Sequence, residues 1–322
     1  MGEADAGRVA TPATGRQRQR RGRPGVDRYG WLRRIVSLDP ERDHQEIVRI
    51  SSGFEFPWDY RKALEFALFR TYCTPSVSAL LDATGEFAHR PQKRYDDTAI
   101  LMAELAEHGY DSDRGRQALR VINRMHGRYV ISDEDMRYVL STFVYEPVRW
   151  VERFGWRPLT DHERLAAFHF YREVGRRMGI REIPDSYEEF ERFNVEYERA
   201  HFRYGETNRH IGQYTVDLFV SWFPRPLRPL VRRCVVAMLD EPVRKSFGFR
   251  PAPAWLRRLV PAALRARSAV VRLLPPRRSS RLAHDRHNRT YPGYPTGYTI
   301  AELGAPEPTD IDPRWLARRP KK

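Results

Sequence analysis

His126 is the residue of this chain best placed to do chemistry. It ends an amphipathic run, residues 114–125, and has Val121, Ile122, Met125 and Val130 around it. An imidazole leaving a rigid helix end into apolar surroundings can be an axial ligand of haem iron, with the other side of the metal open. The same setting suits a buried histidine bonded to a backbone carbonyl, and the residues alone leave both open. Arg120, Arg124 and Arg128 recur every four residues and share a helix face. That stripe can pair with the carboxylates of a cofactor or lie solvated. Upstream, Arg94 and Thr98 stand one helical turn apart. A guanidinium and a hydroxyl on one face can both donate to a bound ligand. They can equally be an arginine paired with Asp96 or Asp97 and a threonine that caps a helix.

Other chemistries have weaker support. Glu41/His44, Glu86/His89 and Glu198/His201 all have the Glu-x-x-His spacing of di-iron helical bundles, but only the last lies in a clear helical pattern. Cys73 and Cys234 are the only cysteines, too few for a thiolate-only metal site or a disulfide framework. Each reads as a buried thiol. Neither a Gly-x-Ser-x-Gly elbow nor a glycine-rich nucleotide loop occurs.

These residues need helices to position them, and the pattern from Trp31 to Phe249 is helical. Residues 60–81 have helical apolar spacing, residues 98–108 form a helix closed by Gly109, and residues 114–125 form the helix that carries His126. Ser132/Asp135, Thr160/Glu163 and Ser186/Glu189 have capping-box spacing. No stretch alternates with period two long enough for a strand. The expected fold class is all-α, a single multi-helix domain of eight to eleven helices with its pocket between helices and disordered basic termini. The expected parts are a disordered basic segment over residues 1–34, a catalytic domain over 35–250, a basic amphipathic helix over 251–275 and a Pro/Arg-rich tail over 276–322.

Charge separates these parts. The whole chain has a net charge of +15, but residues 1–34 carry +6, residues 250–322 carry +11 and the span between them −2. A balanced central domain argues against nucleic acid as a partner, which would need a basic face on the fold itself. Arg far outnumbers Lys, as in a GC-rich bacterial genome. Over residues 251–275, Trp255, Leu256, Leu259, Val260, Ala263, Leu264, Val270, Val271 and Leu274 recur near helical spacing, with Arg257, Arg258, Arg265, Arg267 and Arg272 among them. Such a helix can lie on an anionic membrane surface or dock its apolar side on the domain. Pro261 interrupts the stripe. No apolar run is long enough to span a bilayer, and the N-terminus lacks the apolar core of an export signal. The expected location is cytoplasmic, peripheral at the inner membrane surface.

Taken together, Lys93-Arg-Tyr-Asp-Asp-Thr98 and Arg120-Val-Ile-Asn-Arg-Met-His-Gly-Arg-Tyr129 resemble the oxygenase family of the rubber oxygenases (latex-clearing proteins) and MpaB. Gly53-Phe-Glu-Phe-Pro57, Phe69-Arg-Thr-Tyr-Cys-Thr-Pro75, Phe154-Gly-Trp-Arg-Pro158 and Tyr197-Glu-Arg-Ala-His-Phe202 extend the resemblance over about residues 35–250. It implies a haem b cofactor with iron held by His126, and the spacing would let Arg124 and Arg128 of the arginine stripe bind the carboxylates of that haem. It also implies catalytic roles for Arg94 and Thr98, and O2 and an apolar, isoprenoid-like substrate as partners, with oxidative cleavage of a C=C bond as the reaction. Rubber oxygenases have a Lys where this chain has Asp97, and no Glu stands at the distance upstream of Arg94 where they place a base. The contrasting expectation is a non-enzymatic helical scaffold that binds a hydrophobic ligand or a membrane surface.

Overall fold

Prolines and capping hydroxyls set many of the helix starts. The computed structural model describes residues 27–282, 291–307 and 311–317. In chain order the helices are α1 (Gly30–Val36), α2 (His44–Ile50), α3 (Pro57–Tyr72), α4 (Pro75–Thr84) and α5 (Glu86–His89). There follow α6 (Pro91–His108), α7 (Asp113–His126), α8 (Asp133–Phe154), α9 (Asp161–Arg177) and α10 (Tyr187–His201). The last are α11 (Glu206–Ser221), α12 (Arg228–Met238), α13 (Glu241–Ser246) and α14 (Ala254–Leu273). The described fold is a single all-α domain, and its one bridge, Tyr129 to Leu316, is isolated.

The fourteen helices exceed the eight to eleven expected, because one- and two-turn pieces such as α5 and α13 are too short to show a period. The helix expected over residues 60–81 is two, α3 and α4. Thr74 is extended at φ −92°, ψ 116°, as the residue before a proline prefers, and Pro75 opens the next helix. Ser112, Ser132, Thr160 and Ser186 each accept the N3 amide of the helix they precede. Of these four, Thr160/Glu163 alone forms the full reciprocal box.

Both ends depart from the simple reading. The disorder expected through residue 34 does not hold for its last part. Residues 27–34 are placed in the fold and include most of α1, and just before that helix Arg28 pairs with Glu55 at 3.3 Å and lies over the Trp156 ring. The expectation for residues 1–26 lies outside the described residues. The described residues after 275 are mostly without regular structure but are packed rather than free; the rest of the expected tail lies outside the described residues. Tyr291, Tyr298, Ile300 and Leu303 are buried in the main core with residues of α2, α6, α7, α8 and α9. Burying Ile300 and Leu303 contributes about 2 kcal/mol each.

Between α2 and α3 the chain forms a fully buried π-helical turn, Ser51–Glu55. It brings the Glu55 carboxylate to Arg157, which also holds Glu163 at the start of α9. This buried ionic joint ties α1, α2, α8 and α9 together at one end of the domain.

Candidate functional site

The hairpin of α6 and α7 builds the site. From Arg94 to Gly109 the chain runs about 22 Å, and from Ser112 to His126 it returns about 21 Å, at about 1.5 Å per residue. The arms match, so the first turns of α6 meet the last turn of α7. Glycine makes this tight hairpin feasible, since a Cβ on Gly115 would stand 2.0 Å from the Gly109 carbonyl oxygen.

His126 is the last residue of α7. Its Nδ1 is sealed from solvent and has no hydrogen-bond partner. Burial, joined by the positive charge of Arg94, pushes the imidazole down to about 4. The Ile122 carbonyl one turn back acts the other way, drawing a proton onto the ring, but it is not in hydrogen-bonding geometry to Nδ1. The imidazole is therefore neutral near neutral pH, the form that binds metals. Arg94 donates through Nη1 to Thr98 Oγ1, which lies 3.2 Å from the Arg94 carbonyl. The structure thus brings together the three residues singled out from the sequence.

Arg94 and Thr98 also line a cleft of about 290 Å³ between α3, α5, α6 and α11. Tyr72, Phe87, Leu218 and Phe219 supply most of its apolar wall. Residues distant in sequence make this wall, so no local pattern could have revealed it. A larger cleft of about 500 Å³ opens beside Arg70, Glu146 and Asp240. Its charges pair with one another, which suits a structural joint more than an apolar ligand.

Arg124 and Arg128 do not point into this cleft. Arg124 reaches the Ala301 and Leu303 carbonyls at 3.4 and 3.5 Å, and Arg128 donates to those of Ala305 and Pro306 at 2.8 and 3.0 Å. Both guanidiniums are engaged with the C-terminal segment. That segment straps the hairpin, since Lys93 Nζ donates to the Gly304 carbonyl at 2.9 Å from the α6 side. Gly304 has φ +99°, and a Cβ there would meet Met125 Sδ at 2.7 Å. Beyond His126, Val130 and Ala317 pair with the backbone of Trp315 and Arg128. The strap was missed in the sequence reading. Its one local signal is Tyr291-Pro-Gly-Tyr-Pro-Thr-Gly-Tyr298, whose aromatic spacing is unusual for a solvated tail.

Asp97, which stands where rubber oxygenases have a lysine, serves the strap. It accepts from the Tyr294 hydroxyl and from Lys93 Nζ at 2.9 Å. Its neighbour Asp96 accepts the Gly293 amide at 2.7 Å and Gln92 Nε2 at 2.9 Å. Burial raises Asp96 to about 6, against the lowering effect of those two donors. Below about pH 4 its carboxyl is protonated whether the chain is folded or not. As pH rises toward 6 the unfolded chain loses that proton first and is favoured. Asp96 therefore lowers stability above pH 6 by about 3 kcal/mol relative to acid conditions. Asp96→Asn keeps an acceptor for Gly293 and removes the titration. In urea unfolding, the stability difference of variant over wild type should grow between pH 4 and 6 and then level off. A difference independent of pH would refute the buried charge.

The Glu-x-x-His pairs do not assemble. His44 bonds to the Tyr110 hydroxyl at 2.5 Å, Glu86 pairs with Arg90, and Glu198 pairs with Arg70. Among the described residues no group of three or more His, Cys, Asp or Glu could hold a metal ion.

Residues 66–273, which include Arg94, Thr98 and His126, match the family described as ER-bound oxygenase mpaB/B'/rubber oxygenase, catalytic domain. The chain belongs to this family. The ER-bound oxygenase mpaB' of Penicillium brevicompactum is 31% identical over 257 residues, covering 74% of this chain and 60% of the fungal protein. The ER-bound oxygenase mpaB of Penicillium roqueforti (strain FM164) is 31% identical over 220 residues, 62% of this chain and 74% of that protein. That of Penicillium brevicompactum is 38% identical over 141 residues, 42% of this chain and 36% of its own length. Thus the chain spans 60% of the length of mpaB'. Among the described residues of this mpaB/rubber oxygenase family member, no helix is long and apolar enough to cross a membrane.

Proposed function

We propose that this chain is a haem-dependent oxygenase that acts on an apolar, isoprenoid-like substrate by oxidative C=C cleavage. The observation that carries this reading is Arg94. It bears electrostatically on His126, bonds to Thr98 and lines the apolar cleft. The residues present fit a haem b. His126 is neutral and has a buried nitrogen without a partner, and would hold the iron. Haem, when bound, would supply the activation of O2.

The chain's own groups do the rest. Thr98 accepts from Arg94 and can turn its own O–H away from the Arg94 carbonyl toward a ligand. Tyr72, Phe87, Leu218 and Phe219 exclude water and offer an apolar substrate a matching surface.

Protein produced with a supply of haem should show a Soret band, with haem and iron in equal amounts. Purified protein that neither carries nor takes up haem would overturn the reading. Thr98→Val and Arg94→Leu remove donors at the cleft. If these groups act on the reacting species, turnover of an isoprenoid test substrate, followed by O2 uptake, should fall about a hundredfold with haem content unchanged. Loss of haem in both variants would make the pair structural instead.

A further inference from the structure

α14 has three faces, and only one of them is docked. On that face Leu256 and Ser268 are buried, and Leu264 and Val271 pack on the cluster around Trp150 and Phe154. Arg267 completes it, donating to Asp59 at 2.9 Å with its guanidinium 3.7 Å from the centre of the Trp58 ring. The sequence offered docking or a membrane surface as alternatives. The helix docks, yet it keeps a second apolar face in solvent.

That second face is formed by Trp255, Leu259, Val270 and Leu273, which are 57%, 54%, 59% and 85% exposed. Exposed Ala262 and Ala266 lie between them. At about 100° per residue these six fall within about 80° of the helix circumference. Pro261 does not interrupt them, since it lies off this face. Beside them Arg258, Arg265 and Arg272 recur every second turn and make a basic edge. None of the three has a hydrogen bond, ion pair or ring contact among the described residues. Leu227 and Leu230, at the start of α12, which packs against α14, are also about half exposed.

Charge decides what can cover this face. Residues 223–282 hold fifteen Lys and Arg against two acids, Asp240 and Glu241. Both acids are taken, by Arg70 and Lys245. A second copy docked through the same face would bring two arginine edges together. An anionic surface would instead neutralise them while its acyl boundary takes the apolar side chains.

We propose that α14 lies flat on an anionic phospholipid surface. Its Trp255–Leu273 face enters the boundary between headgroups and acyl chains, and Arg258, Arg265 and Arg272 meet the phosphates.

Co-sedimentation of the full chain with vesicles tests this. Binding is expected with phosphatidylglycerol mixed into phosphatidylcholine and not with phosphatidylcholine alone, and it should weaken with salt. Arg258→Gln/Arg265→Gln/Arg272→Gln should weaken it about fivefold per arginine removed. Leu259→Asp/Leu273→Asp should abolish it, with circular dichroism unchanged because both sites are exposed. Equal binding to neutral vesicles, no binding to either, or variants that bind like the wild type would overturn the proposal. So would a concentration-dependent dimer that Leu259→Asp dissociates, which would assign the face to a second copy.

Discussion

His126→Ala is expected to leave a folded, helical protein that retains no haem. The reason lies in how the side chain is held. Nδ1 is buried without a partner, so the imidazole already carries an unsatisfied polar atom and its removal breaks no hydrogen bond. The hairpin around it rests on other contacts, among them the Gly115 approach and the strap through Lys93, Arg128 and Gly304. Far-UV circular dichroism should match the wild type while the Soret band disappears. Imidazole added to the variant should restore part of the band, because the space left by the side chain can admit it. A variant with normal haem content would remove His126 as the ligand. A variant that unfolds would show that the residue is part of the core.

The largest stability effect is expected at Arg157. Its guanidinium lies 2.8 Å from Glu55 Oε2 and 2.7 Å from Glu163 Oε2, and all three side chains are nearly inaccessible. Glu163 also accepts from Ser51 at 2.8 Å and from the Thr160 amide at 2.8 Å. Burial already pushes the Glu55 carboxyl up, with Arg157 the chief force holding it down. Arg157→Met retains much of the side-chain volume but leaves two buried carboxylates uncompensated, although Arg28 still reaches Glu55. A cost of about 3–5 kcal/mol is expected, or about 10 °C in Tm for a domain of this size. Adding Glu55→Gln and Glu163→Gln to Arg157→Met should recover most of that loss, since the penalty comes from unpaired charge. A single-variant cost below about 1 kcal/mol would show that the joint does not hold the helices.

Much of the framework was legible from local signals. Caps and prolines act within a few residues, so Ser132, Thr160 and Ser186 announced α8, α9 and α10. Gly109 announced the end of α6. Arg94, Thr98 and His126 were singled out by the resemblance and by their local settings, whereas their meeting came from the α6–α7 hairpin of the folded chain. Pro75 was equally visible as a break, but the apolar period across it masked the division between α3 and α4.

What the tertiary structure decided were pairings between residues far apart. The arginine stripe read from Arg124 and Arg128 was real as a spacing, but no spacing tells which acceptor a long guanidinium will find. Here it finds the carbonyls of Ala301–Pro306, supplied by a segment whose composition reads as tail. The cleft wall joins α3, α5, α6 and α11, and Glu55 meets Arg157 only because a π-helical turn aims it inward. The amphipathic pattern of α14 showed that the helix had an apolar side but not that packing would cover one side and leave another in water. Local backbone preferences are written in neighbouring residues, whereas burial and ion pairing depend on which surfaces the folded chain brings together.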